Sequence, residues 1–161
     1  MKIGLISDSH DHLDHIGKAA QLFKERGVDL VIHAGDFISP PAILALDGLT
    51  VAAVFGNNDG EKLGLAKMFA KIQGRLEGDF LELETEEGLL AVYHGTVSSL
   101  KRSLIDSGRY RAVVCGHTHT PENRLQGNTW VLNPGTAHGF GMRATVMVVE
   151  THDWSVELID L

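Results

Sequence analysis

The sequence has a single cysteine, Cys115, among 161 residues, so no disulfide can form within the chain. Cys115 ends an apolar run that starts at Ala112, which is typical of a buried strand, and we expect its thiol to be inert. No apolar segment approaches the roughly 20 residues that a membrane-spanning helix needs, and the apolar N-terminal stretch is too short for a secretory signal. We therefore expect a cytoplasmic protein with no membrane partner.

Positive charge is also scarce. The chain has 14 Lys and Arg residues against 21 Asp and Glu residues, for a formal net charge of −7. A field of this sign repels a polyphosphate backbone, and no basic stripe with interleaved aromatic residues is present to track a nucleic-acid strand. We expect no binding of extended nucleic acid, although a locally positive metal site would still attract a small phosphate ester.

The hydrophobic pattern predicts an α/β protein with two halves. In the first half, short buried strands at 2–7, 29–34 and 50–55 alternate with helices at 15–26, at 40–46 and in a stretch ending near 72. The second half has strands at 80–85, 89–93 and 111–115, a helix at 98–107, a hairpin at 123–132 and a closing strand pair at 143–150 and 154–159. No repeat or linker divides the chain, so we predict one domain over 1–161, a two-sheet β-sandwich flanked by helices.

Residues that can bind metal ions follow nearly every buried strand of this pattern. They are Asp8, His10, Asp36, Asn57, Asn58, Asp59, His94, His117 and His119. Because the carboxyl ends of strands in an α/β sheet converge on one crevice, we expect these side chains to lie together. Each motif alone is weak, since an aspartate after a strand is often only a helix cap. Together they supply carboxylate, amide and imidazole ligands without thiolate, a set suited to two divalent ions.

These motifs, in their order along the chain, resemble those of the calcineurin-like metallophosphoesterase superfamily. They read Asp8-x-His10, Gly35-Asp36, Gly56-Asn57-x-Asp59, His94 and Gly116-His117-x-His119. The chain length and the later Asn133-Pro134-Gly135 are similar to the small YfcE-type phosphodiesterase branch. The resemblance implies that Asp8, His10 and His119 hold one ion, that Asn57, His94 and His117 hold the other, and that Asp36 bridges them. It also implies hydrolysis of small phosphate diesters by a metal-bridging hydroxide; we expect manganese, with nickel, cobalt, iron or zinc as alternatives.

One position departs from the superfamily pattern. Much of the superfamily has a histidine where this chain has Asn58, and an amide cannot deliver a proton near neutral pH. Asn58 and Asp59 are nevertheless candidate catalytic-site residues, with Asp59 supporting the ligands rather than acting as one. His12 and His138 are candidate replacements for the missing acid, although a surface position or a loop hydrogen bond is favoured for both.

Several other residues carry chemistry but are expected to have ordinary structural roles. His33 follows a buried-strand pattern and should be a core histidine, whereas His15 and His152 should be surface residues. Phe140 and Met142 could line a substrate pocket, but we expect them to pack instead.

Two other functions remain open alongside the diesterase. A phosphomonoesterase would use the same site, and a weakly active protein-binding scaffold would resemble the retromer's phosphoesterase-like subunit. The retention of all seven ligands favours an enzyme. The sequence also allows a homo-oligomer, with apolar residues near Phe69, Ile72, Val97 and Leu100 as a candidate interface.

Overall fold

The structure is a computed structural model that describes all 161 residues. It contains eleven strands and four helices. In chain order they are β1 (Lys2–Ile6), α1 (Leu13–Glu25), β2 (Leu30–His33), α2 (Pro40–Leu44), β3 (Val51–Ala53), α3 (Lys62–Lys71), β4 (Arg75–Leu76), β5 (Phe80–Thr85), β6 (Gly88–Tyr93), α4 (Ser98–Asp106), β7 (Ala112–Val114), β8 (Glu122–Gln126), β9 (Thr129–Asn133), β10 (Thr145–Glu150) and β11 (Ser155–Asp160).

These strands form two sheets. The first sheet has the order β11-β10-β1-β2-β3-β4, in which β1 to β4 run parallel and the β10–β11 pair is antiparallel, with β10 also antiparallel to β1. The second sheet has the order β5-β6-β7-β9-β8, with parallel β6, β7 and β9 in the middle and antiparallel strands at both edges. The parallel strands of each sheet therefore end on one side of that sheet.

Alternating residues of β1 show how the layers of the fold arise. Ile3 and Leu5 belong to an apolar cluster formed by both sheets, whereas Ile6 belongs to a cluster shared with α1, α2 and α3. Gly4, between Ile3 and Leu5, faces α1. A Cβ added to Gly4 would lie 2.7 Å from the ring of Phe23, so only glycine permits this close approach. A third cluster packs Ile105 of α4 against the second sheet. The result is four layers: helices, sheet, sheet, helix.

The predicted fold class and architecture are confirmed, and each predicted strand and helix is present. The two-residue strand β4 was missed, because a strand so short leaves no periodic signal. Helix α2 ends at Leu44, two residues before the predicted end. Cys115 is fully buried as expected, and burial raises the pKa of its thiol to about 11, which keeps it protonated.

Two expectations concerned surfaces. None of the four helices combines the length and apolar character needed to cross a bilayer. Phe69 and Ile72 are buried in the core, so the part of the candidate oligomer interface that relied on them is wrong. Val97 and Leu100 are exposed.

Candidate metal centre

The loops that follow the parallel strands bring the predicted site residues together. Asp8 and His10 follow β1, Asp36 follows β2, Asn57 follows β3, His94 follows β6, and His117 and His119 follow β7. The Oδ1 of Asp8 lies 3.2 Å from the Nε2 of His119. The Oδ2 of Asp36 lies 3.4 Å from the Nε2 atoms of both His10 and His94. Thus the two sheets contribute to one crevice.

The backbone of these loops is unusual. Five of the residues have a positive φ, between 40° and 67°: Asp8, His10, Asp36, His117 and His119. A left-handed conformation costs a non-glycine residue roughly 1–2 kcal/mol, although aspartate and histidine adopt it more often than most residues do. The neighbouring Gly116 has no room for a side chain, since a Cβ there would overlap the hydroxyl of Ser7. The positive φ values therefore orient these side chains toward the crevice at a cost in conformational energy.

The two oxygens of Asp8 have different surroundings. Its Oδ2 accepts hydrogen bonds from the Ser7 hydroxyl at 2.6 Å and from the His117 backbone N–H at 3.0 Å. Its Oδ1 is buried and has no hydrogen-bond partner, and the same is true of the Nε2 of His10. Leaving a buried polar atom unpaired costs about 1–3 kcal/mol, more for a charged group. A cation fits here, because it would satisfy both atoms.

Asp36 is held as an anion. Burial acts to raise its pKa, but the nearby imidazoles of His10 and His94 and the hydrogen bond from the Asn58 N–H outweigh burial and move the pKa well below its usual range. Asn58 adds two hydrogen bonds to this carboxylate, from its backbone N–H to Oδ1 at 2.9 Å and from its side-chain amide to Oδ2 at 2.8 Å. Asn58 therefore contacts the carboxylate at the middle of the cluster.

His94 is oriented for ligation. Its Nδ1 lies 2.7 Å from the Ala34 carbonyl oxygen, so Nδ1 carries the proton and Nε2 faces the cluster. The Oδ1 of Asn57 lies 3.1 Å from that Nε2. Burial acts to lower the pKa of His94, and its contact with Asp36 raises it, with a net rise.

Asp59 joins two of the loops. Its Oδ2 accepts from the backbone N–H of Asp36 at 2.9 Å and of Gly56 at 2.7 Å, and its Oδ1 accepts from the N–H of Ile38 at 2.9 Å. The side chain is buried, which raises its pKa against the effect of these three bonds. Asp59 thus connects the loop after β2 to the loop after β3.

Two groups of side chains have donor atoms within 4.8 Å of one another and could each hold a metal ion. They are Asp8, His10 and His119, and Asp8, Asp36 and His94. Asn57 lies beside the second group, and the ring of His117 meets that of His94 edge-on at 5.3 Å between centroids. Five of the seven predicted ligands therefore belong to the two close groups, and Asn57 and His117 lie beside His94 outside them.

A cleft of about 420 Å³ opens beside the second group. Asn57, His94 and Thr96 are among its polar lining residues, and Val97 and Leu100 are among its apolar ones. This volume lies in the range of small-molecule sites.

The model of the calcineurin-like phosphoesterase superfamily domain matches residues 1–154. The chain belongs to this superfamily. It is 37% identical over 143 residues to a phosphodiesterase of Methanocaldococcus jannaschii, a match that covers 87% of this chain and 86% of that protein.

Solved structures of other proteins share the fold. A structure described as a novel archaeal phosphodiesterase has a TM-score of 0.93 and 34% identity over 100% of both chains. YfcE, a phosphoesterase of E. coli, has a TM-score of 0.71 at 20% identity over 99% of this chain and 98% of its own. Vps29 of Entamoeba histolytica has a TM-score of 0.67 at 18% identity over 100% and 99% of the two chains. The last two likenesses show the fold alone.

The remaining histidines follow the expectations in part. The Nδ1 of His138 accepts from the N–H of Phe140 at 3.0 Å, the expected loop hydrogen bond, whereas the Nδ1 of His12 caps the start of α1 by accepting from the backbone N–H of His15 at 3.3 Å. His33 is buried as expected. The expectation for His15 was wrong, because it is half-buried and its Nδ1 lies 2.8 Å from the Ala137 carbonyl oxygen.

Phe140 and Met142 do not pack in the core. They are 45% and 62% exposed. Phe140 lies against His10 and His119, a contact that sequence reasoning missed. The glycines at 139 and 141 were the available signal, since they indicate a tight exposed turn rather than a packed segment.

Proposed function

We propose that this protein is a phosphodiesterase that hydrolyses small phosphate diesters at a centre of two divalent metal ions. The observation that carries the proposal is the pair of buried donor atoms without partners, Asp8 Oδ1 and His10 Nε2, in a cluster of carboxylates and imidazoles. A cation supplies what both atoms lack. The M. jannaschii relative, named a phosphodiesterase, supports the choice of reaction.

In this proposal Asp8, His10 and His119 hold one ion, Asn57, His94 and His117 hold the other, and Asp36 lies between them. When bound, such a pair of ions lowers the pKa of a water molecule toward neutrality and neutralises charge on the phosphoryl oxygens. We expect manganese, with nickel, cobalt, iron or zinc as alternatives, since this donor set suits several divalent ions.

The chain's own residues prepare the site before substrate arrives. Asp36 stays ionised at all physiological pH values, because the two imidazoles and Asn58 stabilise its anion. Ala34 fixes the tautomer of His94, and Asp59 ties together the loops that carry Asp36 and Asn57. A site ordered in this way needs little rearrangement during the reaction.

Asn58 serves in this proposal as a support for Asp36 rather than as an acid. Its side-chain amide donates to Asp36 Oδ2, and an amide has no proton to give to a departing alkoxide. The enzyme should therefore favour esters whose leaving group needs no proton, such as aryl esters.

Substrate size follows from the surroundings of the site. The cleft of about 420 Å³ accommodates the organic part of a small ester beside the metal ligands. The net charge of −7 disfavours an extended nucleic acid at the same site. A cytoplasmic location and a homo-oligomeric state remain parts of the proposal.

The phosphomonoesterase alternative uses the same ligands and is separated only by substrate. The scaffold alternative has the shared fold with Vps29 in its favour, but it gives no reason for the unpaired donor atoms in the crevice. We therefore rank the diesterase first.

The test is hydrolysis of bis(para-nitrophenyl) phosphate and para-nitrophenyl phosphate by metal-stripped protein, before and after addition of each divalent ion. Metal-restored cleavage with preference for the diester is the expected result. Preference for the monoester would establish the phosphatase alternative. No turnover despite binding of two ions would favour the scaffold. The Asp36→Asn variant serves as the inactive control.

A further inference from the structure

The histidines of the two close ligand groups are held in different ways. His94 has a hydrogen bond from Nδ1 to the Ala34 carbonyl, the usual support for a ligand imidazole. The rings of His10 and His119 make no such bond to the protein; their only polar contacts are with the carboxylates of the cluster. Another interaction must therefore fix the orientation of these two rings.

The ring of Phe140 packs against both of them. It lies parallel to the ring of His119, with 4.8 Å between centroids and 3° between planes. It meets the ring of His10 edge-on, at 4.7 Å and 79°. It also stacks on His138 at 4.0 Å and 25°. Aromatic pairs in these arrangements attract one another beyond the effect of burial alone, so one side chain restrains two candidate ligands.

The loop that carries Phe140 has an energetically unfavourable backbone conformation. Gly139, Phe140 and Gly141 are three successive residues with positive φ, of 93°, 41° and 78°. This conformation is strained for a phenylalanine, which here remains 45% exposed and gains little from burial. The loop is anchored next to the site, because the hydroxyl of Thr136 donates to the backbone carbonyl of Asp8 at 2.9 Å and accepts from the Gly139 N–H at 3.3 Å. Folding alone does not account for an exposed, strained aromatic residue at this position.

We propose that Phe140 is a positioning residue for the metal centre, holding His10 and His119 in place by ring contacts where hydrogen bonds are absent. The inference rests on the proposed metal centre. It applies to the ion held by Asp8, His10 and His119 and leaves the other ion unaffected, since His94 has its own support from Ala34. Loss of the phenyl ring should therefore weaken one of two ions.

The experiment titrates Co²⁺ into metal-stripped protein, followed by calorimetry and by visible absorption. The variants are Phe140→Ala, Phe140→Leu, which keeps bulk without an aromatic face, and Phe140→Tyr, which keeps the face. The control is Phe80→Ala on strand β5, since Phe80 is similarly exposed at 40% and its aromatic contact is with Tyr110, at 6.4 Å. Thermal unfolding of the stripped proteins checks that each variant is folded.

We expect two ions in the wild type. Phe140→Ala and Phe140→Leu should bind one ion about 10- to 100-fold more weakly, the range for lost outer-shell support, with an altered Co²⁺ spectrum, whereas Phe140→Tyr and Phe80→Ala should match the wild type. Wild-type affinities and spectrum in Phe140→Ala, or full recovery in Phe140→Leu, would overturn the inference and leave the metal centre intact. Absence of bound ions in the wild type would instead overturn the metal centre itself and this inference with it.

Discussion

Asp59 offers a test of how the ligand loops are held together. Its carboxylate accepts three backbone N–H groups, two on Oδ2 and one on Oδ1, and it is buried. In Asp59→Asn the amide oxygen can replace Oδ2, but the NH₂ group then faces the N–H of Ile38, donor against donor. The hydrogen bond from Ile38 is lost, and both the Ile38 N–H and the new amide NH₂ are left without an acceptor, which should cost about 2–3 kcal/mol of unfolding free energy. Asp59→Ala removes all three bonds and should cost about 3–5 kcal/mol, after the relief of burying a charge is allowed for.

Urea unfolding of the metal-stripped proteins measures these costs. Asp47→Asn is a suitable control, since its Oδ1 accepts a single N–H, from Gly48 at 2.9 Å, in an exposed turn, and it should cost less than about 0.5 kcal/mol. Metal affinity of Asp59→Asn should fall as well, because the loops with Asp36 and Asn57 loosen. If the free energy of unfolding of Asp59→Ala were within 1 kcal/mol of the wild-type value, the role of Asp59 as the connection between these loops would be refuted.

Three further predictions concern protonation and the reaction. His33 is fully buried, its Nδ1 accepts from the Gly35 N–H at 3.2 Å, and burial is the main reason that its pKa falls to about 3. Between pH 6.5 and 3 the unfolded chain therefore binds the proton more readily than the folded protein does. The free energy of unfolding should fall by about 1.4 kcal/mol for each pH unit below 6.5. The His33→Asn variant keeps an acceptor for the Gly35 N–H and should flatten this slope, which urea unfolding at pH 7.5 and pH 5 measures. Asp36→Asn should abolish turnover with every metal, and full activity in a steady-state assay would rule out its bridging role. Asn58→His should raise turnover of alkyl diesters more than that of aryl diesters, whereas an equal effect on both would show that leaving-group protonation is not limiting.

Much of the fold followed from residue patterns. The buried strands β1, β2, β3 and β7 are short, largely apolar runs with polar residues within the next few positions, and the helices α1 and α3 have apolar residues at helical spacing. The strand ends alone predicted that Asp8, Asp36 and His94 lie at one crevice, because parallel strands end on the same side of a sheet. The site was therefore predictable as a group of residues.

Contacts set by loop backbone were not predictable. The hydrogen bonds from Asn58 to Asp36 depend on the turn after β3, and the sequence indicated only that an acid was missing at this position. Phe140 reaches His119 because three successive residues adopt positive φ, a conformation that two glycines permit but do not specify. His15 was misassigned for a similar reason, since its partner, Ala137, lies in a loop distant in the chain. These interactions join segments far apart in sequence, where periodicity carries no information.

In the proposed function, hydrolysis requires two bound metal ions. The most direct measurement is the rate of bis(para-nitrophenyl) phosphate hydrolysis as Mn²⁺ is added to metal-stripped protein at a concentration far above its dissociation constants. We predict that the stripped protein is inactive and that the rate rises until two equivalents are bound and then stays constant. Full activity at one equivalent, or activity in the stripped protein that a chelator does not remove, would contradict the account.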